Sequence, residues 1–476
     1  MQWSKLLCPE RIRTQQHKAK EDLRTEFEKD YQRIIGSASF RRLQDKTQVF
    51  PMDASDFVRT RLTHSLEVSS YAKSLGQNVA EKILNEIKDP DFLPENKADI
   101  SDILQCAGLI HDIGNPPFGH FGETAIREWF LNHLSDFSLG GVPVEQMLND
   151  QMKNDFYHFE GNTQAFRVVT KLHFLVDENG MNLTKALLAT MMKYPCSSLE
   201  IDPDCGDIAR KKMGYFYADR DNFEAVQSAV GTNGARHPLA FLLEAADDIA
   251  YITADIEDAY KKGYISYREL LIELNACWKN HREQMTTLED EEAFTNMLHR
   301  LEQKYDRAIE KKIKDPGEYA VQNWIISVQS LAIEAVTKNF IRNYDAIMQG
   351  TYRDELFHGS EAETLMTALG DIEVRYVFRS RPIYKREIAE EVILNFLLDK
   401  FIDAAIVYDT EEKMSAVQIK LMGLVSDNYM SIYKHFSKDK SKEEKLYLRL
   451  LLVTDYICGM TDNYAKALYQ ELTGMF

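Results

Sequence analysis

The densest chemistry in the chain lies in one run, Leu109-Ile110-His111-Asp112-Ile113-Gly114-Asn115-Pro116-Pro117-Phe118-Gly119-His120. An apolar helical stretch ends there in adjacent His and Asp, and a glycine and two prolines then break the helix. Adjacent helical residues point about 100° apart, so such a pair grips one ion only near a helix end. Gly114-Asn115-Pro116-Pro117 supplies that end. Imidazole nitrogen beside carboxylate oxygen suits Mn²⁺, Fe²⁺, Zn²⁺ or Mg²⁺. The dipeptide alone is common and uninformative, so its surroundings must decide.

Two other segments carry matching groups. Upstream, Arg59-Thr60-Arg61-Leu62-Thr63-His64 sets His64 at the start of a helix with two arginines just before it. Downstream, Leu242, Ala245, Ile249, Ile252 and Ile256 form an apolar helical stripe, while Asp247, Tyr251 and Asp255 fall at i, i+4 and i+8 on another face. A solvated acidic face would account for the second row. The alternative is a lined site, because unpaired buried charge is costly.

The elements that must position these residues are helices. Trp324, Val328, Leu331 and Ala335 follow a buried helical stripe, and similar stripes recur around 67–88, 160–175, 391–406 and 446–458. Period-two alternation is scarce; Gly214-Tyr215-Phe216-Tyr217 is the one stretch that predicts an arm of a short hairpin. Asp89–Asn96, with two prolines, and Ser135–Val144, with paired glycines, predict loops. The expected fold is mainly α. We place a boundary near residue 270, giving a core over 1–270 and a helical C-terminal region over 271–476 packed on it, although no linker composition marks the junction.

Bulk composition narrows the class. With 44% hydrophobic and 28% charged residues, the chain reads as globular, with no disordered stretch. Met1-Gln2-Trp3-Ser4-Lys5 runs straight into charged sequence without a signal-peptide core, and no run of about 18 apolar residues suggests a membrane span. Six cysteines are scattered with no CxxC pair, as expected for reduced thiols in a cytoplasm. A net charge of −18 argues against general attraction to nucleic acid, and it obliges any anion site to build its own positive field from a metal or from local Lys and Arg.

His64, then His111-Asp112, then an Asp on a later helix is the pattern of HD-domain phosphohydrolases. The flanking runs narrow it: Arg41-Arg42-Leu43-Gln44, Lys46-Thr47-Gln48-Val49-Phe50-Pro51, the His64 and His111 segments through Glu123, Phe159-Glu160-Gly161-Asn162, Glu244-Ala245-Ala246-Asp247-Asp248-Ile249 and Asp455-Tyr456-Ile457-Cys458-Gly459-Met460-Thr461-Asp462. Together they resemble the bacterial deoxyguanosine triphosphate triphosphohydrolases over nearly the whole chain. The resemblance implies an HD-type helical core and a metal, Mn²⁺ or Mg²⁺, one ion held by His64, His111, Asp112 and Asp247. It implies a catalytic His120 with Glu123 as its carboxylate partner, and pocket roles for Tyr251, Asp255 and His158. A carboxylate three residues from an imidazole can fix its tautomer and raise its basicity.

The reaction so implied is attack of water at the α-phosphorus of dGTP, giving deoxyguanosine and inorganic triphosphate. Basic groups to hold the substrate are Arg61, Lys193, Lys211 and Lys212; solvated surface lysines are the alternative for the last three. Gln44 resembles the residue that meets the sugar 3′-hydroxyl, and Asn162 is a further pocket candidate. The resemblance also implies a homo-oligomer, commonly a hexamer, and in some members single-stranded DNA binding, for which no basic-aromatic stripe is found here. Alternative functions are a broader or nucleotide-activated dNTP triphosphohydrolase, an HD enzyme acting on monophosphates or an alarmone, and a nucleotide- or ssDNA-binding HD module without turnover.

Overall fold

The structure, a computed structural model, describes residues 1–13, 22–49, 58–173, 178–281 and 288–475. The end of the Lys46–Pro51 motif, Phe50-Pro51, lies outside the described residues. The fold is helical with one small two-stranded antiparallel sheet. No described helix is long and apolar enough to cross a membrane.

A central helix, Pro238–Lys261, is buried along most of its length. Pro238 pre-sets its first turn, and the His237 ring accepts a bond from the Leu239 N–H at its N-cap. The Arg61–Lys82 and Pro316–Arg342 helices pack on it. Arg61–Lys82 begins with a reciprocal capping box between Thr60 and Thr63, which satisfies N–H groups the first turn would leave open. Val68, Ala72, Leu75 and Val79 then make its buried stripe.

The Asn96–Ile110 helix crosses Arg61–Lys82 at very close range. Gly108 is the reason: a Cβ there would stand 2.5 Å from the Ser69 Cα. Bringing the two backbones together at that point sets His111, at the end of one helix, against His64, near the start of the other.

The C-terminal helices are tied into this core by polar as well as apolar contacts. Trp129 Nε1 donates to Asp399 at 2.7 Å, and Arg167 makes a buried two-point bond with Asp455. Asp462 accepts from the Phe118 N–H at 3.0 Å and from the Thr47 N–H at 2.9 Å, so a residue near the C-terminus anchors two segments beside the histidines.

The hairpin expected at Gly214–Tyr217 is not there. Tyr215 is buried and stacks on Phe223 at 4.1 Å between ring centroids, so its burial reflects aromatic packing and not a ladder. The sheet lies instead inside the segment expected as a loop, with Ser138–Leu139 paired to Val142–Pro143. Gly140 and Gly141, both in the left-handed region, form its two-residue turn. Asp89–Asn96 does connect two helices without regular structure until Asn96.

Candidate active site

His64, His111 and Asp112 converge with ligand atoms all within 4.8 Å of one another. Asp247 closes the group: its Oδ1 lies 3.2 Å from His64 Nε2 and 3.4 Å from His111 Nε2. The His111 tautomer is set from outside, because Nδ1 lies 2.8 Å from the Gly108 carbonyl and carries the proton toward it. His111 Nε2 is buried and has no hydrogen-bond partner, so its lone pair faces the cluster centre. Two imidazole nitrogens and two carboxylates, buried and aimed at one point, fit a divalent cation.

Neighbours hold the carboxylates in place. Asn115 Nδ2 donates to Asp112 Oδ1 at 2.6 Å, and Arg61 donates to Asp112 Oδ2 at 2.5 Å. Lys193 donates to Asp247 Oδ2 at 2.7 Å. Burial opposes ionisation of both aspartates, but Arg61 at Asp112 and Lys193 at Asp247 outweigh it and keep both carboxyls well below their ordinary range. Burial also opposes the Lys193 charge, and Asp247 and Glu244 beside it reverse that and raise its pKa. Asp248, one residue on, is instead raised by burial and by the neighbouring Glu244.

These residues line a cavity of about 760 Å³ that also contains His120, Asn162, Lys211, Lys212, Tyr251 and Asp255. His120 follows Phe118, whose left-handed backbone (φ 66°) turns the chain into the Gly119–His133 helix. The side chain of His120 is 78% exposed and that of Glu123 only 2%. The histidine is therefore free to meet a ligand, while its carboxylate is fixed. His120 Nδ1 lies 3.3 Å from Glu123 Oε2, and Glu123 Oε1 accepts from the Gly161 N–H at 2.9 Å. A Cβ on Gly161 would fall 2.5 Å from that oxygen, which explains the glycine in the Phe159–Asn162 run. The bond from Glu123 raises the His120 pKa above its ordinary value.

The cations are less free than the sequence suggests. Lys212 donates to Glu160 Oε1 at 3.0 Å, and Asn162 donates to the same oxygen at 2.8 Å. Lys211 stands at the rim, 3.6 Å from Glu355. Arg61, buried, spends one amino group on Asp112.

Two expected pocket residues are not brought in. Gln44 sits in the Leu43–Asp45 turn, exposed and outside the cavity lining. An isolated antiparallel bridge pairs Thr47 with Thr60, so the residue carried to the cavity is Gln48, whose Oε1 is buried and without a partner. His158 ends the Asp150–Tyr157 helix, exposed to solvent and also outside the lining.

The far wall was not read from the sequence. Glu355, Phe357, Met366, Glu373, Phe378, Ile383, Glu387 and Glu390 line the same cavity as His64, His111, Asp112 and Asp247. Glu390 is fully buried with both carboxyl oxygens unpartnered, and burial pushes it up to about 8. Glu373, also buried, is pushed up to about 7, and burial with Glu373 as neighbour raises Asp255 well above the carboxylate range. No local pattern marks these positions, because they come from a turn and several helices with no common motif.

Comparison with known proteins places this geometry. Residues 61–179 match the HD domain, and residues 385–471 match the phosphohydrolase-associated domain. A Listeria monocytogenes protein named deoxyguanosinetriphosphate triphosphohydrolase-like is 46% identical over 480 residues, spanning 100% of both chains. A Synechocystis protein of the same name is 34% identical over 486 residues, again over 100% of both. A Serratia proteamaculans deoxyguanosinetriphosphate triphosphohydrolase is 29% identical over 494 residues, covering 95% of this chain and 94% of its own.

Proposed function

This chain belongs to the HD-domain deoxyguanosinetriphosphate triphosphohydrolase family, and on that premise we propose that it hydrolyses dGTP to deoxyguanosine and inorganic triphosphate. The observation that carries the reading is the convergence of His64, His111, Asp112 and Asp247 in the cavity that also holds the His120–Glu123 pair. The names of the relatives favour guanine as the base. A divalent cation, Mn²⁺ or Mg²⁺, held by those four residues would neutralise charge on the α-phosphate and polarise it toward attack.

The chain's own residues do the rest. Asn115 and Arg61 orient Asp112, and Lys193 orients Asp247, so the ligand set is built before substrate arrives. Breaking the bond between the α-phosphorus and the 5′-oxygen leaves an alkoxide that needs a proton. His120, with Nδ1 committed to Glu123, presents Nε2 to the cavity and carries a proton more readily than an isolated histidine. Lys211 and Lys212 meet the outer phosphates at the rim, where incoming phosphate oxygens displace Glu355 and Glu160 as partners.

The test is incubation with Mn²⁺ or Mg²⁺ and each of the four dNTPs and GTP, singly and mixed, with products resolved by ion exchange. Deoxyguanosine and triphosphate from dGTP alone is the expected result. Triphosphate from several dNTPs, or only from mixtures, replaces strict guanine preference with a broader or nucleotide-activated enzyme. Absence of triphosphate in every mixture overturns the reading.

A further inference from the structure

A second cavity, of about 190 Å³, lies apart from the one above, at the seam where the C-terminal helices meet the core. Its lining brings Arg42, Lys46 and His173 together with Ser39 and Asn428, and it contains no carboxylate. That is unusual in a chain of net charge −18. Lys46 is buried, and its ammonium donates to two carbonyls, Asn115 at 2.5 Å and Cys458 at 2.6 Å. An ammonium has three donors, so one remains.

No carboxylate among the described residues lies within ion-pair distance of Lys46 or Arg42. The nearest acid that bears on Lys46 electrostatically is Asp462, whose oxygens are occupied by Thr47 and by the Phe118 N–H. Burial lowers the Lys46 ammonium to about 8, against the pull of Cys458 and Asp462, and Arg61 and Arg42 nearby lower it further. His173 contacts Ser39 Oγ at 2.8 Å, and burial together with Arg42 lowers it to about 4.

The Asp427–Phe436 helix starts at the same cavity, and its N-cap residue Ser426 makes no side-chain cap, so first-turn N–H groups are left to other acceptors. Asp427 in that turn is exposed and does not line the cavity.

We infer that this cavity is a binding site for a phosphate-class anion, separate from the catalytic centre. Its volume is below the roughly 300–1,000 Å³ of pockets that enclose drug-sized ligands, so one phosphate group fits and a nucleotide does not. The site stands next to the metal ligands: Lys46 holds the Asn115 carbonyl, and Asn115 holds Asp112. An anion drawn to Lys46 competes with that carbonyl for the same ammonium.

The experiment is calorimetric titration of the metal-free full chain with sodium phosphate at fixed ionic strength, repeated with ribose 5-phosphate. Wild type and His111→Ala should show one saturable site of equal strength. Arg42→Gln, at an exposed position, should weaken it roughly tenfold or more, as for loss of a charged hydrogen bond. Stronger binding of ribose 5-phosphate than of phosphate identifies the anion as the end of a larger molecule; equal binding identifies free phosphate. Unsaturable heats, equal binding in Arg42→Gln, or loss of binding in His111→Ala would overturn the site. Turnover is not needed for any of these readings, so failure of the hydrolase proposal and failure of this one are separate results.

Discussion

The two walls of the main cavity treat the same functional group in opposite ways. Beside the two histidines three acids each have a cation against them: Asp112 has Arg61, Asp247 has Lys193, and Glu160 has Lys212. On the far side Glu373 and Glu390 have no ion pair among the described residues, and burial is the largest influence on both, pushing them up to about 7 and about 8. A charged wall is organised in advance for a cation and a polyanion. The raised carboxyls of Glu373 and Glu390, while protonated, do not repel the phosphates of the proposed substrate.

Removing a metal ligand is the strongest way to break this contrast. Asp247→Ala or His111→Ala should abolish both Mn²⁺ binding and turnover, measured by calorimetry and by triphosphate release. His120→Ala should reduce turnover by roughly 10²–10⁴-fold with Mn²⁺ affinity kept, as for loss of a general acid–base group. Equal metal loss in both would put His120 among the ligands and erase its separate role.

A smaller effect separates two glutamines. Gln48→Ala should raise KM by roughly tenfold, the scale of one buried hydrogen bond, whereas Gln44→Ala should leave it unchanged. The reverse order in steady-state kinetics would return Gln44 to the pocket.

The smallest effect concerns pH. A carboxyl whose folded pKa is raised is neutral below that value and ionises above it, so the far wall gains negative charge as pH passes about 7 through Glu373. KM for the anionic substrate should therefore rise by a few fold between about pH 6.5 and 8, and Glu373→Gln should flatten that rise. Because its folded pKa is raised, protonated Glu373 contributes stability that is lost as pH rises from the ordinary value of 4.5 to about 7, so Tm should fall over that range in wild type, level off above it, and fall less in the variant. A flat wild-type profile would mean that Glu373 is already ionised.

How much of this was legible in the chain depends on distance along it. His111, Asp112 and the helix break after them are neighbours in sequence, and a helix end dictates how they point, so their partnership could be read locally. The spacing of Asp247, Tyr251 and Asp255 likewise placed three groups on one face of one helix, and that face does line the cavity. Gln44 lies outside the cavity lining because its motif contains several polar residues, and only the Thr47–Thr60 bridge selects which of them turns inward; His158 lies outside it because it caps the end of the Asp150–Tyr157 helix toward solvent. The hairpin was misplaced because an aromatic run buried by stacking has the same composition as a strand.

Residue type and local periodicity by themselves determined the helical class and the helix break after His111-Asp112, because backbone geometry repeats within a few residues; the ligand set and its order were implied by the resemblance to HD-domain phosphohydrolases. Only the tertiary structure decided that Gly108 brings two helices close enough to join His64 to His111, and that Arg61 and Lys193 spend their charge on the ligands. It alone brought Glu373 and Glu390, both raised by burial, to the same cavity. Each of those outcomes depends on which distant groups share a buried volume, and charge state in a buried volume is set by neighbours that no local pattern names.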